Sequence, residues 1–188
     1  SITGGTDISA SLTGSDVSFS TPDNYNGSET FIATVSDGDL SSSQSFTVTV
    51  NAVNDAPVLS SVGNQELSED GTLNILLSSF DIEGDILEYS VDGGSNILVS
   101  LSGSELVFTP VQDFNGSESF TVSVSDGEYS DSETFTVTVN AVNDAPVLAT
   151  VSDVSFDEDG STSISLSASD VDNSDLEFSI TGGTDISA

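Results

Sequence analysis

The sequence contains no lysine, arginine, histidine, cysteine, methionine or tryptophan among its 188 residues. Against this absence stand 32 aspartates and glutamates, which give a formal net charge of −32. No salt bridge between side chains and no disulfide can form, so the compact chain needs cations from solvent to reduce its self-repulsion. The composition therefore favours bound metal ions before any motif is considered.

The same absences exclude several function classes. Without histidine, cysteine or lysine the chain has no group for acid–base work near neutral pH and no nucleophile paired with a base. Without basic residues it has no electrostatic means of binding nucleic acid or anionic lipid. No apolar run approaches the roughly 20 residues of a membrane-spanning helix. We therefore expect no enzyme, no nucleic-acid partner and no membrane span in this segment.

What the sequence does contain is an internal repeat. The segment NAVNDAPVL occupies residues 51–59 and returns unchanged at 140–148, which is 89 residues later. The segment SITGGTDISA occupies residues 1–10 and returns at 179–188, which is 178 residues later. Because 178 is twice 89, the longer period indicates that two non-identical repeats alternate along the chain.

The repeated segments divide the chain into three parts. We predict that residues 1–52 are the C-terminal part of one repeat, residues 53–141 a complete repeat, and residues 142–188 the N-terminal part of a third. The junctions themselves are named here the first joint, residues 53–57, and the second joint, residues 142–146.

Within the complete repeat, short segments of alternating apolar and polar residues are separated by turn residues, and no helical period is present. In FTVSV and FTVTV one face is Phe and Val while the other is Thr and Ser, which is typical of an antiparallel sheet with one buried face. The predicted strands are Val58-Leu59, Leu73–Leu77, Leu87–Val91, Ile97–Leu101, Glu105–Phe108, Phe120–Val124 and Phe135–Val139. This pattern predicts an all-β chain of tandem immunoglobulin-like, antiparallel β-sandwich repeats of 89 residues.

Acidic residues form short clusters that recur with the repeat, such as Glu69-Asp70-Gly71 and Asp81-Ile82-Glu83-Gly84-Asp85. A D-x-D or D-x-E pattern on an extended segment places both carboxylates on one side. Calcium takes 6–8 oxygen ligands from carboxylates, amides and carbonyls. Without a cation, each pair of unit charges at 4 Å repels by about 1 kcal/mol in water. The clusters therefore favour calcium sites, although a single EDG or SDG is more often an ordinary turn.

The segments VNDAPV, EDG, DIEGD, DFNGSESFTVSVSDG and FTVTVNAVND together resemble bacterial cadherin-like tandem repeats of giant RTX-type adhesins and related secreted surface proteins. The resemblance covers the whole 89-residue unit. NAVNDAP is also similar to the D-x-N-D-N-x-P linker of cadherins. In that family the linker binds calcium together with acidic residues of both neighbouring domains, which stiffens the rod.

The resemblance implies two sets of calcium ligands. Those at the first joint would be Asp23, Glu29, Asn54 through its carbonyl, Asp55, Asp81, Glu83 and Asp126. Those at the second joint would be Glu69, Asp113, Glu118, Asn143, Asp144, Asp170 and Asp172. The chain departs from the cadherin pattern because Asn51 and Asn140 replace the linker's first Asp, Glu83 replaces an Asp, and no Arg is available for a D-R-E motif. We therefore expect one or two ions per joint.

The function implied is a calcium-stiffened extender of a large extracellular adhesin, with adjacent repeats of the same chain as its partners. The alternative is a segment of a self-associating extracellular filament or sheath, in which other copies of the chain are the partners. The sequence N-G-S at residues 26–28 and 115–117 also fits an N-glycosylation acceptor. A hairpin turn is the favoured interpretation of both, because Asn-Gly accepts the positive φ angles of tight turns.

Overall fold

The computed structural model describes residues 1–182, and all regular elements in this range are strands, as predicted. None of the described residues forms a helix that could cross a membrane. The C-terminal part of the first repeat contains five strands: β1 (Ile2–Gly4), β2 (Ser9–Thr13), β3 (Asp16–Ser20), β4 (Gly27–Ser36) and β5 (Ser41–Val50). They form an antiparallel sheet in the order β1-β4-β5 and a hairpin of β2 and β3.

The middle repeat contains β6 (Val58–Leu59), β7 (Gln65–Ser68), β8 (Leu73–Leu76), β9 (Ser79–Phe80), β10 (Glu88–Gly93), β11 (Ile97–Ser102), β12 (Glu105–Pro110), β13 (Gly116–Ser125) and β14 (Ser130–Asn140). All seven predicted strands fall on observed ones. Strands β7 and β9 are additional, and their sequences, QELS and SF, are too short to show a clear alternation. The sheets are ordered β10-β13-β14-β7, β11-β12-β8 and β6-β9.

One pairing differs from the predicted antiparallel arrangement, because β7 runs parallel to β14, from Val137 opposite Gln65 to Asn140 opposite Ser68. A hairpin fixes antiparallel pairing only between strands that it connects directly, and the long path between β7 and β14 allows parallel pairing. The side chain of Asn64 fixes the start of β7, since its Oδ1 accepts a hydrogen bond of 2.9 Å from the backbone N–H of Thr136.

Three phenylalanines join the two larger sheets of the middle repeat. Phe108 of β12 meets Phe120 of β13 edge to face, with ring centroids 4.9 Å apart, and meets Phe135 of β14 at 6.1 Å. All three are buried. Burying one such side chain stabilises the fold by about 1.5–3 kcal/mol, so this triad is a main source of the sandwich's stability.

The strands of the first repeat lie 89 residues before those of the middle repeat, and the aromatic triad recurs as Phe19, Phe31 and Phe46. Here Phe19 is 38% exposed and Phe46 is 36% exposed, while Phe31 is fully buried. In the third repeat, β15 (Val147–Leu148) and β16 (Ala168–Ser169) pair in the same way as β6 and β9.

The contacts group the chain into two compact units. One contains Ser1–Ser60, Ser78–Ser90 and Ser123–Ser132; the other contains Ser61–Leu77, Val91–Val122 and the described residues from Glu133 onwards. The first joint and its acidic neighbours lie within the first unit, and the second joint and its neighbours lie within the second. The domain boundaries at residues 53 and 142 stay predictions.

Candidate cation sites at the two joints

The first joint borders a polar cavity of about 330 Å³. The loop before β4 contributes Asp23, Asn24 and Asn26 to its wall. The first joint contributes Asp55, and the loop after β9 contributes Glu83. The structure therefore brings three of the predicted ligands to one cavity. Its oxygen-rich lining suits a hard cation.

Asp81 follows β9 and is the most buried carboxylate of this region, with 7% of its surface exposed. Its Oδ1 accepts backbone hydrogen bonds from Glu83 at 3.0 Å and from Asp85 at 3.1 Å. Its Oδ2 is buried and has no hydrogen-bond partner. A buried anionic oxygen without a donor is costly, so this atom is suited to a cation.

Asp126 is held in a turn after β13 by three hydrogen bonds. Its Oδ1 accepts the N–H groups of Glu128 and Tyr129, both at 2.7 Å, and its Oδ2 accepts from the Asn54 side chain at 2.8 Å. The hydrogen bond from Tyr129 is the largest cause that lowers the pKa of Asp126 below its ordinary value. This carboxylate stays ionised, and it connects the first joint to the loop between β13 and β14.

At the second joint, carboxylates gather around Asp144. Burial raises its pKa, and the negative charges of Asp113, Asp172, Asp70 and Glu69 raise it further, in that order. Its Oδ2 is buried without a hydrogen-bond partner, as at Asp81. Because the chain has no basic side chain, this group can be neutralised by taking up a proton or by binding a cation from solvent.

The EDG segment connects the middle repeat to this joint. Glu69 is 4% exposed, and its Oε1 accepts a short hydrogen bond from the backbone N–H of Val142. The next residue, Asp70, has a φ of 60°, and Asp113 has a φ of 59°. Non-glycine residues rarely adopt this left-handed conformation, in which Asp and Asn are enriched. Both aspartates thus accept backbone strain at the position where they approach Asp144.

The loop after β16 in the third repeat also contributes to the second joint. Asp170 uses its Oδ1 to accept the N–H groups of Asp172 at 2.9 Å and Asn173 at 2.7 Å. Asp172 accepts the backbone N–H of Asp144 at 2.6 Å, and the Asn173 side chain donates to Asn143 Oδ1 at 2.9 Å. Four of the predicted ligands are therefore connected by direct hydrogen bonds.

Two predicted ligands have another structural role. Glu118 accepts hydrogen bonds from the backbone N–H groups of Ser95, Asn96 and Ile97, which form the turn between β10 and β11. Burial acts to raise its pKa, but these hydrogen bonds outweigh burial and lower it to about 2. Glu29 occupies the equivalent position in the first repeat, where it accepts hydrogen bonds from the turn at Thr6. The hydrogen bond from the Thr6 side chain is the largest cause that lowers the pKa of Glu29 to about 2. Both carboxylates hold turns within their own repeats.

The structure also shows residues that the sequence prediction omits. Asp70 and Asn173 lie at the second joint, and the EDG and D-x-D clusters next to them are the signals that could have included them. Asp131 and Glu133 hold the end of β6 and the segment after it, since Asp131 accepts the N–H of Leu59 at 2.8 Å and Glu133 that of Val62 at 2.7 Å. In residues 1–182, no group of three or more carboxylates is arranged so that it could hold a metal ion without rearrangement.

The two facing sheets and the strand order define the middle repeat as an Ig-like β-sandwich. In agreement, the family of bacterial Ig domains matches residues 54–140. Chitinase A of Pseudoalteromonas piscicida is 28% identical over 130 residues, which cover 67% of this chain and 16% of the chitinase. The chain thus spans about a sixth of this curated relative.

Among solved structures, human protocadherin-24 EC1-2 is 24% identical, covers 63% of each chain and has a TM-score of 0.44. An endo-fucoidan hydrolase from glycoside hydrolase family 107 is 26% identical, with 76% of this chain and 24% of that chain covered and a TM-score of 0.41. Both TM-scores are below 0.5, so the assignment of a cadherin/Ig-like repeat relies on the sheets and on the family match.

Proposed function

We propose that the chain is a calcium-stiffened spacer of a large extracellular repeat protein, with its cation sites at the two joints and no catalytic role. The observation that carries the proposal is the pair of buried carboxylate oxygens without partners, Asp81 Oδ2 and Asp144 Oδ2, one near each joint. In a chain without basic side chains, a divalent cation is the available partner for both atoms.

The donor set fits calcium. At the first joint Asp23, Asp55, Asp81 and Glu83 would supply carboxylate oxygens and Asn54 its carbonyl. At the second joint the ligands would be Glu69, Asp70, Asp113, Asn143, Asp144, Asp170 and Asp172. Asp126, Glu29 and Glu118 are left out because both oxygens of each already accept hydrogen bonds. When bound, calcium would neutralise the repulsion among these groups and connect adjacent repeats.

In residues 1–182 the predicted ligands do not already form a complete coordination shell, and this determines how calcium would act. Calcium would have to draw the carboxylates together, so that binding and ordering of the joint become one event. Extracellular calcium modules bind at about 10⁻⁴–10⁻³ M. At a calcium concentration about 100 times the dissociation constant, binding adds about 2.7 kcal/mol to stability.

Asp81→Asn tests the proposal sharply. The asparagine keeps an oxygen for the hydrogen bonds from Glu83 and Asp85 but removes the charge and the unpartnered Oδ2. In chelator we expect the variant to unfold at the same or a higher temperature than the parent chain. In 10 mM calcium, about 10 to 100 times the expected dissociation constant, we expect the variant to unfold at a lower temperature than the parent chain, because the stabilisation by the ion is weakened.

The control for this experiment is Asp16→Asn, which removes an exposed carboxylate at the start of β3. It should leave the calcium-induced rise in melting temperature unchanged. If calcium stabilises the parent chain and Asp81→Asn equally, Asp81 is not a ligand. If calcium stabilises neither, the proposed function is wrong.

Two contexts compete for such a spacer. The sequence resemblance favours a large surface adhesin. The similarity to Chitinase A, of which this chain covers 16%, favours a spacer within a secreted polysaccharide-degrading enzyme. Both contexts are extracellular and both use the repeat to separate other parts. The alternative of a self-associating filament stays a prediction.

A further inference from the structure

The strands of the first repeat leave an apolar groove open to solvent. The groove has a volume of about 610 Å³ and is lined by residues of all five strands, among them Leu12, Val17 and Val35. Val35 is 71% exposed, whereas its counterpart 89 residues later, Val124, is fully buried in the middle repeat. The same position of the repeat is therefore exposed in one place and part of a core in the other.

Strand β5 lies at the edge of its sheet, next to β4. Its counterpart in the middle repeat is β14, which has β7 as a parallel neighbour, with Val137 opposite Gln65 and Val139 opposite Leu67. An edge strand presents a row of backbone N–H and C=O groups with which another strand can pair. The outer edge of β5 can therefore accept a strand in the way that β14 accepts β7.

The third repeat contains a segment equivalent to the one that includes β7. Residues 147–158 lie 89 positions after residues 58–69, and both segments begin with Val-Leu. The residues in the places of Gln65 and Leu67 are Val154 and Phe156, which are 47% and 50% exposed. In the described structure these two residues belong to no strand. The segment thus carries apolar side chains and backbone groups that are available for pairing.

Both ends of this segment already have the conformation seen in the middle repeat. At its start, β15 pairs with β16 as β6 pairs with β9. At its end, the Gly160 N–H donates to the Asp157 carbonyl at 3.1 Å, and the same bond joins Gly71 to Ser68 at 3.1 Å. Because these parts are already ordered, pairing of the segment with an edge strand would cost less conformational entropy.

We propose that residues 147–158 of one copy of this chain add to the outer edge of β5 in a second copy and cover its apolar groove. The contact joins two different surfaces of the chain, so it would connect copies head to tail into rows or rings. The inference goes beyond the spacer function and does not depend on calcium. It gives a physical basis to the alternative of a self-associating filament.

The middle repeat gives the register of this contact. Shifted by 89 residues, its pairs become Val154 opposite Val48 and Phe156 opposite Val50, with the two strands parallel. Paired residues of neighbouring strands project from the same face of a sheet. Phe156 would therefore lie beside Val50, on the face of the sheet that carries the groove residue Val35.

Sedimentation velocity of the whole chain at several concentrations tests this inference in chelator. Because each copy carries a charge of −32, the buffer contains about 0.15 M sodium chloride to screen repulsion between copies. We expect the average mass to rise with concentration. Phe156→Ser should weaken the association by about ten- to a hundredfold, as expected for one buried phenylalanine. Val154→Pro should also weaken it, because proline cannot donate to a strand ladder.

The matched control is Leu98→Ser. Leu98 is 58% exposed on β11 of the middle repeat, outside the proposed contact, so its replacement should leave the association unchanged. Circular dichroism of each variant verifies that the strands are retained. A weaker association is then not a loss of folding.

Crosslinking between copies tests the register, because the parent chain contains no cysteine. A copy with Val48→Cys is mixed with an affinity-tagged copy that carries Val154→Cys. In the proposed register the two cysteines are direct neighbours, within reach of a disulfide. Mild oxidation should form the mixed dimer faster than when the tagged copy carries Leu98→Cys. Since the cysteines are on different copies, a contact within one chain cannot give this product.

Three results would each overturn the inference. These are a mass that does not change with concentration, equal effects of Phe156→Ser and Leu98→Ser, and equal rates of formation of the two mixed dimers. All measurements are made in chelator, so such a failure leaves the calcium spacer standing. Conversely, a chain that calcium does not stabilise would still be expected to associate.

Discussion

At the scale of single residues, the carboxylates of this chain divide into two kinds. Glu29 accepts hydrogen bonds from the Thr6 hydroxyl and from turn N–H groups, and Glu118 accepts them from turn N–H groups and the Ser95 hydroxyl, which outweigh burial, so the pKa of each is lowered to about 2. Asp81 and Asp144 each keep one buried oxygen without a donor. Carboxylates thus stabilise a turn where enough hydrogen-bond donors are available, and they keep an unpartnered oxygen where donors are too few.

The first kind of carboxylate, whose oxygens accept hydrogen bonds from a turn, should contribute to stability at neutral pH and lose this contribution in acid. In the folded chain the pKa of Glu118 is lowered from 4.5 to about 2. Ionised Glu118 therefore stabilises the fold above pH 4.5, and this contribution is lost as the pH falls towards 2. Glu118→Gln should reduce the free energy of unfolding near neutral pH by about 1 kcal/mol, a value discounted for solvent screening.

Denaturant unfolding at several pH values in chelator measures this effect. The difference between the parent chain and Glu118→Gln should shrink steadily between pH 4.5 and 2, the range over which the carboxylate takes up its proton. Glu105→Gln, at an exposed position at the start of β12, is the control. A difference that stays constant across this range would show that the charge of Glu118 does not hold the turn.

The sequence predicts where these residues lie along the repeat, but it does not predict which groups they contact. The periodic clusters placed Asp81, Asp144 and Asp172 near the joints, where the structure has them. The resemblance to cadherin-like repeats places Glu118 at the second joint. In the structure it accepts hydrogen bonds from the turn at residues 95–97, which is distant in sequence and has no acidic motif. Only the register of the sheet brings the two together.

At the scale of elements, the turn between β10 and β11 shows how tightly the sandwich is built. Gly93 and Gly94 have φ values of 122° and 76°. A Cβ added to Gly94 would lie 2.3 Å from the carbonyl oxygen of Ile97 and 2.6 Å from the ring of Phe120. The turn thus packs directly on an aromatic ring of the core, and Glu118 holds it from the other side.

Gly94→Ala should therefore destabilise the middle repeat by about 2–4 kcal/mol, the sum of left-handed strain and overpacking. Gly103→Ala is the matched control, since Gly103 also has a positive φ, of 61°, but no atoms lie within 4 Å of the added Cβ. It should cost only about 1–2 kcal/mol. Thermal unfolding compares the two. Equal losses would mean that the turn can move away from Phe120.

Strand existence could be predicted from the sequence, but partners and topology could not. The Phe-Thr-Val-Thr-Val alternation of β14 identifies a half-buried strand, and that strand is present. The parallel partner β7 is four residues long, and its pairing depends on a hydrogen bond from Thr136 to Asn64 that no local pattern reveals.

At the scale of the whole molecule, we expect the net charge to control how stiff the chain is. A chain with a net charge of −32 and no basic side chain gains more than local order from a divalent cation. Each bound ion would reduce the repulsion between neighbouring repeats as well as within the joint. Monovalent salt screens such repulsion but binds carboxylates much more weakly than a divalent cation does, so we expect it not to substitute for calcium.

Small-angle X-ray scattering of the chain in millimolar calcium and then in chelator tests the central claim most directly. We expect calcium to narrow the distribution of interatomic distances to that of a stiff particle, and chelator at equal ionic strength to broaden it. The double variant Asp55→Ala, Asp81→Ala should stay flexible at the first joint in calcium while its middle repeat remains folded. Identical scattering of the parent chain with and without calcium would contradict the claim, and the acidic clusters would then be solvated surface.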